Sequence, residues 1–307
     1  MRTTFIKTLT QLAEKDKDII LLTADLGFSV FENFRDKFPG RFYNVGVQEQ
    51  NMMGMAAGLA LSGKKPYVYS IIPFLTMRCF EQIRNDIAYQ KLNVRLVGVG
   101  SGFSYGALGA THHSIEDIAL MRSLPNMTVV CPGDPIEVRE LMKSSMQITG
   151  PVYFRLGKSG EPCIHQEYTS IELGRANVIY EGSDLTLIAC GNMLEAARNV
   201  RDMLERDKIS TRLISMHTLK PLDSQAILKS LYDTKRIFTL EEHNIIGGLG
   251  SAVAEVIAEA GIETKIIFKR FGAQDSYPAM AGSQRYIREQ LGLSEALIYS
   301  KILKNLV

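Results

Sequence analysis

The 307-residue chain has no tryptophan, only four cysteines and almost no excess of charge. Its 35 Lys and Arg residues against 33 Asp and Glu residues leave a net charge of +2, without a basic run. This balance gives no electrostatic support for binding to nucleic acid or to a membrane surface. No apolar stretch reaches the length of a transmembrane helix. Residues 1–17 mix charged and apolar side chains and lack the apolar segment of a signal peptide.

The cysteines are too widely spaced for a metal site or a disulfide framework. None belongs to a C-x-x-C pair, and they are Cys79, Cys131, Cys163 and Cys190. We therefore expect reduced thiols in the core of a cytoplasmic protein. The hydrophobic content of 46% and the charged content of 22% are typical of a globular chain. The length suits two domains, each with its own core.

Short apolar runs alternate with amphipathic segments along the chain. In the first part, we predict strands at residues 19–23, 67–71, 94–99, 128–131 and 152–154. The helices predicted between them cover residues 80–89, 115–124 and 135–146. In the second part, we predict strands 185–189, 211–215, 237–240 and 265–268 and helices 194–204, 224–231, 251–259 and 284–291. This alternation predicts an α/β protein with doubly wound, mostly parallel sheets. Because the periodicity fades between Gly157 and Glu172, we predict domains at residues 1–160 and 175–307.

An acidic residue stands where the predicted strand 41–45 turns at Gly46 and enters a helix. Glu49 lies in the run Gly46-Val47-Gln48-Glu49-Gln50-Asn51-Met52, and residues 54–60 behind it are mostly small. By itself, an acid in the first turn most often complements the helix dipole. Small residues behind it let a flat ligand or a second subunit approach closely.

An ordered set of motifs resembles the pyrimidine-binding domain of transketolase, in the form where that enzyme is split into two polypeptides. The motifs are Ala24-Asp25-Leu26, Gly46 to Met52, Arg78 to Asp86, Gly109-Ala110-Thr111-His112, Glu116 to Arg122, Pro125 to Val129 and Gly150 to Tyr153. Two later motifs, Leu185 to Gly191 and Thr239 to His243, resemble the transketolase C-terminal domain. Each motif alone is weak, but the set spans nearly the whole chain in the right order.

The resemblance implies thiamine diphosphate as the cofactor and assigns several residues to its pyrimidine ring. Glu49 would bond the ring nitrogen N1′ and favour the imino tautomer that activates the cofactor. Phe74 would stack on the ring. Ile71 and Met77 stand where the family often has aromatic residues, so the pocket walls would be more aliphatic. Asp25 would lie near the cofactor, with an N-cap of the next helix as its alternative role.

On the substrate side, the resemblance makes His112 the histidine that bonds the donor sugar. A neutral imidazole both donates and accepts hydrogen bonds, which suits proton transfer at a carbinol. The alternative is a capping role before the following helix, and for His113 the two readings stay open. Ser29 matches a substrate-phosphate contact, and Arg78 is also placed on the substrate side. Lys158 stands where an arginine usually grips phosphate, and it offers a point charge without the bidentate fork.

Other sugar-binding positions depart from the family. No acid precedes the Thr-His motif in Tyr105-Gly106-Ala107-Leu108-Gly109, where transketolases usually carry an aspartate. Gly100 occupies the place of a phosphate-binding histidine. We therefore expect transfer of a two-carbon ketol unit to or from an unusual sugar, such as a non-phosphorylated or nucleotide-linked one.

The Gly-Asp-Gly motif that holds the cofactor's diphosphate and metal in this superfamily is missing. Gly133-Asp134-Pro135 does not replace it, because proline lacks a backbone donor and fixes φ. Asp134 and Pro135 instead predict the start of a helix. We expect Mg²⁺ or Ca²⁺ and the diphosphate to be held by a separate diphosphate-binding subunit, in a two-plus-two heterotetramer. No metal ligands are assigned to this chain.

Two alternatives to a transketolase subunit stay open. One is the beta subunit of a 2-oxo-acid dehydrogenase E1 component, which has the same two domains and acts on an oxo acid. The other is a non-catalytic partner that stabilises a complete enzyme. The acidic and histidine residues Glu241, Glu242 and His243 invite a catalytic reading, but the resemblance gives them a structural one.

Overall fold

The computed structural model describes residues 1–261 and 264–306. The predicted end of the second domain, residue 307, lies outside this part of the chain. The described residues form two mostly parallel sheets that are covered by helices, so the predicted α/β fold is confirmed. None of the described helices is long and apolar enough to cross a bilayer.

The first sheet has seven strands in the order β10-β5-β6-β4-β3-β1-β2. They are β1 (Ile19–Thr23), β2 (Phe42–Asn44), β3 (Lys65–Ile71), β4 (Arg95–Val99), β5 (Thr128–Val130), β6 (Val152–Leu156) and β10 (Thr218–Lys220). All neighbouring pairs are parallel except β10 with β5. The central strands are buried along their whole length, as parallel strands covered on both faces must be.

The helices of the first half are α1 (Arg2–Lys15), α2 (Glu32–Lys37), α3 (Glu49–Leu61), α4 (Ile72–Thr76), α5 (Phe80–Gln82), α6 (Asp117–Ser123) and α7 (Pro135–Ser145). The helix predicted over residues 80–89 is instead the short α5 followed by a π-helical segment, Ile83–Ala88. The predicted start of α7 is confirmed, because the Asp134 carboxylate accepts the Glu137 N–H at 2.8 Å and Pro135 follows the cap.

The second sheet has five strands in the order β12-β11-β8-β9-β7. They are β7 (Asn177–Tyr180), β8 (Leu185–Ala189), β9 (Thr211–Ser215), β11 (Arg236–Asn244) and β12 (Ile267–Ala273). The helices are α8 (Leu194–Arg206), α9 (Ser224–Thr234), α10 (Leu249–Glu259), α11 (Gln284–Gln290) and α12 (Glu295–Leu306). The strand predicted over residues 265–268 begins two residues later and is longer than expected.

A strand and an apolar cluster connect the two halves of the chain. Strand β10 lies in the second half of the sequence but extends the first sheet, with Thr218 opposite Val130. One apolar cluster contains buried side chains from both sides of the junction, among them Met121, Ile188 and Ile214. The predicted domain boundary between residues 160 and 175 stays a prediction.

Three of the four cysteines are buried, as expected from the sequence. Cys79, Cys131 and Cys190 are buried free thiols. Cys163 is also free but exposed, so the expectation of a core position was wrong for it. It lies in the irregular stretch after β6, where the chain runs over the surface.

Candidate active site

The carboxyl ends of five parallel strands meet at one edge of the seven-stranded sheet. They are the ends of β1, β2, β3, β4 and β6. Ligands of open parallel sheets bind at this edge. Every predicted site residue lies at one of these ends or after it along the chain, namely Asp25, Ser29, Glu49, Ile71, Phe74, Met77, Arg78, His112, His113 and Lys158.

Glu49 is the first residue of α3, and its side chain is only 2% exposed. Its Oε2 accepts a hydrogen bond from Arg78 Nη1 at 2.7 Å, and Ser70 Oγ donates to Oε1 at 3.4 Å. A buried carboxylate needs such partners, and the start of a helix favours negative charge. The structure thus places a carboxyl group, paired with a half-exposed cation, at the carboxyl edge of the sheet.

Phe74 connects this carboxylate to the predicted substrate side. The Arg78 guanidinium lies over the Phe74 ring, 4.4 Å from its centroid. The Phe74 ring also meets His112 edge to face, with 5.1 Å between the ring centroids. Such contacts are favourable for a cation over a ring and for tilted ring pairs. The side chain is half-buried, so part of the ring is open to a ligand.

Tyr105 extends the arrangement and was not predicted from the sequence. Its ring lies 6.3 Å from the His112 ring, and Lys158 Nζ lies 4.9 Å from the Tyr105 centroid. Contacts therefore connect six side chains in a row, which we name the site row: Glu49, Arg78, Phe74, His112, Tyr105 and Lys158. The signal in the sequence is an aromatic residue within the stretch that lacks the usual acid.

His112 is half-buried and does not cap a helix, because α6 begins after Glu116. Its Nδ1 is 3.0 Å from Thr111 Oγ1. Burial, followed by the neighbouring His113, lowers the pKa of His112 below its ordinary value. The imidazole is therefore neutral near pH 7, the form that both donates and accepts hydrogen bonds.

His113 turns away from the site row into the interior. Its side chain is 3% exposed, packs edge to face against Phe103 at 5.3 Å, and has Nε2 3.3 Å from the Gly106 carbonyl oxygen. It caps no helix either. A packing position inside the loop explains the residue, and the structure brings His112 rather than His113 to the site row.

Asp25 and Ser29 lie on the exposed loop after β1, both in the left-handed region with φ of 54° and 61°. The Asp25 N–H donates to the Asn44 side chain at 2.9 Å, which ties the ends of β1 and β2 together. Asp25 does not cap α2, because that helix begins after Phe31. The Ser29 N–H donates to Glu32 Oε1 at 2.7 Å. None of these hydrogen bonds reaches the site row.

Ile71 and Met77 flank Phe74 in sequence. Ile71 is buried and belongs to the apolar cluster against which Phe74 packs, whereas Met77 is half-buried. Ile71 thus provides an aliphatic neighbour for the Phe74 side chain.

The Glu241 to His243 motif is interior. The Glu241 carboxylate accepts the Leu249 and Gly250 N–H groups at the start of α10, at 2.7 and 2.8 Å. Burial lowers the pKa of His243 to about 4. These contacts agree with a structural reading of the motif.

The site row offers a place for one end of a cofactor such as thiamine diphosphate. A buried carboxyl group beside a partly open aromatic ring fits the nitrogen and the flat face of a pyrimidine. Among residues 1–261 and 264–306, no group of three or more His, Cys, Asp or Glu side chains is arranged to hold a metal ion. The described residues therefore include groups that fit the pyrimidine end of the cofactor.

Two families match this chain. The "Transketolase, pyrimidine binding domain" matches residues 1–161, and the "Transketolase, C-terminal domain" matches residues 174–298.

Individual relatives agree with these matches. The chain is 41% identical over 268 residues to one subunit of the apulose-4-phosphate transketolase of Phocaeicola vulgatus, covering 87% of this chain and 86% of that protein. It is 37% identical to the SqwH subunit of the 6-deoxy-6-sulfo-D-fructose transketolase of a Clostridium species, covering 96% and 90%.

A solved structure described as "Split gene transketolase, inactive beta4 tetramer" superposes with a TM-score of 0.90 at 39% identity, covering 99% of this chain and 97% of that one. Since the pyrimidine-binding match alone spans more than half of the sequence and these relatives cover nearly all of it, the chain belongs to the transketolase family of thiamine diphosphate enzymes.

Proposed function

We propose that this chain is the pyrimidine-side subunit of a split transketolase and transfers a ketol unit between sugars only together with a diphosphate-binding subunit. The observation that carries the proposal is the buried carboxyl group of Glu49 at the edge of the sheet, beside the half-buried ring of Phe74. The transketolase relatives, each described as a subunit or as a split-gene product, support the same assignment.

Within this proposal, each member of the site row has a defined task. When bound, the cofactor would supply the nucleophilic carbon that ketol transfer needs. Glu49 shares a proton with the pyrimidine nitrogen, and burial keeps water from that proton. Phe74 stacks on the ring, with Ile71 and Met77 as walls. His112, neutral near pH 7, moves a proton at a hydroxyl of the sugar.

Arg78 has to change partners when a pyrimidine binds. Its guanidinium lies over the Phe74 ring and donates to Glu49, and these are the groups that the ring would contact. The side chain is 43% exposed, so it has room to move toward the sugar. We propose that Arg78 then contributes to the substrate side together with Lys158, with Ser29 at its margin, whereas the buried His113 packs inside its loop and takes no part. Asp25 would remain near the cofactor.

We propose that a second polypeptide holds the diphosphate and its Mg²⁺ or Ca²⁺. The outer face of α3 is a suitable docking surface, because Val47 just before the helix and Leu61 at its end are 71% and 65% exposed. Between them, a Cβ added to Gly54 or Gly58 would meet no atom within 4 Å, so another backbone can approach closely. The natural assembly is a two-plus-two heterotetramer. The split-gene relative is described as an inactive tetramer of its β chain, which agrees with a need for a partner.

The substrate is proposed to be an atypical sugar. The segment 105–109 before Thr111 carries no acid, and Lys158 is the one cation of the site row besides Arg78. Two relatives are named for apulose 4-phosphate and for 6-deoxy-6-sulfo-D-fructose. A site that keeps a single lysine as a point charge suits sugars with varied anionic or neutral ends better than a bidentate arginine does.

Reconstitution tests the proposal. The purified chain and a diphosphate-binding transketolase chain are mixed, and thiamine diphosphate binding is measured by calorimetry with Mg²⁺ present. We expect no binding to either chain alone and saturable binding with ketol transfer in the mixture. Tight binding of the cofactor to the isolated chain would contradict the need for a partner. Full activity of Glu49→Ala in the mixture would instead support a scaffold role, and CO₂ release from pyruvate would support the dehydrogenase alternative.

A further inference from the structure

The loop that carries two members of the site row is held from the second half of the chain. This active-site loop runs from residue 100 to residue 114, between β4 and α6, and contains Tyr105 and His112. Near its start, the Phe103 N–H donates to the Glu242 carboxylate at 2.5 Å. Glu242 lies on β11 of the second sheet and is 1% exposed. The contact joins residues 139 positions apart in sequence.

Glu242 is the centre of a larger set of polar contacts. Its Oε1 also accepts from Gln284 Nε2 at 2.8 Å, and its Oε2 pairs with the Arg288 guanidinium, both from α11. Arg288 in turn donates to the carbonyl oxygen of Asn192, whose side-chain amide donates to the Ser101 carbonyl at 3.3 Å. Charge-assisted bonds of this kind are shorter and stronger than neutral ones. The start of the loop is thus bonded directly to β11 and to Asn192, and through them to α11.

The backbone of the loop is shaped for this contact. Gly102 has a φ of +59°, and a Cβ there would lie 2.5 Å from the Glu242 side chain, so no larger residue fits. A second attachment lies further along, where the Gly282 N–H donates to the Gly106 carbonyl oxygen at 3.2 Å. Tyr105 lies between these two attachment points. The two attachments at Phe103 and Gly106 thus also restrict the backbone that leads on to His112.

We propose that Glu242 is a positioning residue, which fixes the active-site loop so that Tyr105 and His112 meet the substrate in the required geometry. The proposal rests on the proposed function only for its effect on the sugar. It assigns the second half of the chain a task in substrate handling. Glu49, Phe74 and Arg78 lie on α3, α4 and the segment after α4, which Glu242 does not contact, so cofactor binding should not depend on it.

The physical reason is preorganisation. A side chain on a loop acts on a reacting atom only if it is held within a fraction of an ångström, and loops need supporting contacts to achieve that. Removing the carboxylate charge leaves the Phe103 N–H and the Arg288 guanidinium with a weaker acceptor. The loop should then open locally more often, while the sheets on either side keep their own hydrogen bonds.

Hydrogen exchange on the full chain tests the contact without any assumption about function. Glu242→Gln should raise the exchange rate of amides in residues 101–108 by about ten-fold, as expected for loss of a charge-assisted bond. Glu241→Gln is the matched control, because its carboxylate is equally buried but serves α10. The control should leave exchange in the loop unchanged. Equal exchange in both variants, or a rise spread over the whole chain in Glu242→Gln, would overturn the proposal.

Kinetics of the reconstituted complex test the functional consequence. We expect Glu242→Gln to raise the KM for the donor sugar or lower kcat by about ten-fold while the dissociation constant of thiamine diphosphate stays within about two-fold. Gln284→Leu removes one hydrogen-bond donor to Glu242 and should change the sugar kinetics in the same direction by a smaller factor. This variant replaces Glu242→Gln in the test if Glu242→Gln does not fold. A loss of cofactor affinity with unchanged sugar kinetics would overturn the positioning role. If the wild-type complex transfers no ketol unit, the proposed function fails, and the exchange measurement still decides the contact.

Discussion

Arg155→Met should destabilise the chain strongly, because it leaves a buried carboxylate without its cation. The Arg155 side chain on β6 is 1% exposed, and that of Asp117, the first residue of α6, is fully buried. Arg155 Nε donates to Asp117 Oδ2 at 2.8 Å, and Nη2 donates to the carbonyl oxygens of Ser114 at 2.7 Å and Glu242 at 3.0 Å. One guanidinium on the first sheet therefore bonds α6, the end of the active-site loop and the second sheet.

The expected loss of stability in Arg155→Met follows from the burial of both charged groups. Removing one partner of a buried ion pair costs about 3–5 kcal/mol, since the remaining charge has no water to solvate it. This is a large share of the roughly 5–15 kcal/mol by which a folded chain is stable. Adding Asp117→Asn should recover part of the loss, because the second change removes the unpaired charge.

Urea unfolding followed by circular dichroism measures the effect. Arg95→Met is the control, since Arg95 is also buried but donates to neutral oxygens, including the carbonyls of Gly150 and Ile148. Burial lowers the pKa of Arg95, and its removal leaves no unpaired charge. Arg155→Met should therefore cost more than Arg95→Met. A loss below about 1 kcal/mol, or an equal loss in the two variants, would refute the reasoning.

Three further predictions concern pH and the cofactor. Burial lowers the pKa of His217 to about 4 and raises that of Glu241 to about 7. Because the folded state keeps His217 neutral at pH values where the unfolded chain protonates it, the protein becomes less stable as pH falls. In urea unfolding, the free energy of unfolding of the wild type should fall by about 2 kcal/mol relative to that of His217→Asn when the pH is lowered from 7.5 to 5. Glu241 has the opposite effect, because its stabilising contribution is present at low pH and is lost as pH rises through about 7. When the pH is lowered from 7.5 to 5, the free energy of unfolding of the wild type should therefore rise by about 2 kcal/mol relative to that of Glu241→Gln. Phe74→Leu should weaken thiamine diphosphate binding in the complex about five-fold, the value of one aromatic stack, as measured by calorimetry.

Different outcomes would contradict the predictions for His217 and Phe74. A stability difference between wild type and His217→Asn that stays constant from pH 7.5 to pH 5 would mean that the buried imidazole is protonated as easily as an exposed one. An unchanged dissociation constant in Phe74→Leu would mean that the ring does not stack on the cofactor.

The fold class could be predicted from local pattern, because buried parallel strands are continuous apolar runs. The predicted strands 19–23 and 185–189 coincide with β1 and β8. Non-local features could not be predicted. The three residues of β10 carry no strong strand signal, and their place in the first sheet is set by packing across the junction. Apolar periodicity also does not separate an α-helix from the π-helical segment 83–88.

The site could be predicted in part from motif order. Glu49, Phe74 and His112 follow successive strand ends, and the geometry of a parallel sheet brings such ends together. The sequence could not indicate which of His112 and His113 faces outward, since adjacent residues on a loop have no fixed periodicity. Tyr105 was missed for a related reason: its contacts with His112 and Lys158 exist only once the loop is folded.

The most direct test of the central claim is the rate at which the cofactor's thiazolium C2 proton exchanges with deuterium in the reconstituted complex, followed by NMR. If the Glu49 carboxyl group shares its proton with the pyrimidine nitrogen, Glu49→Gln should slow this exchange by about 100-fold or more, the usual contribution of a positioned acid–base group. The same rate in Glu49→Gln and wild type would contradict the account.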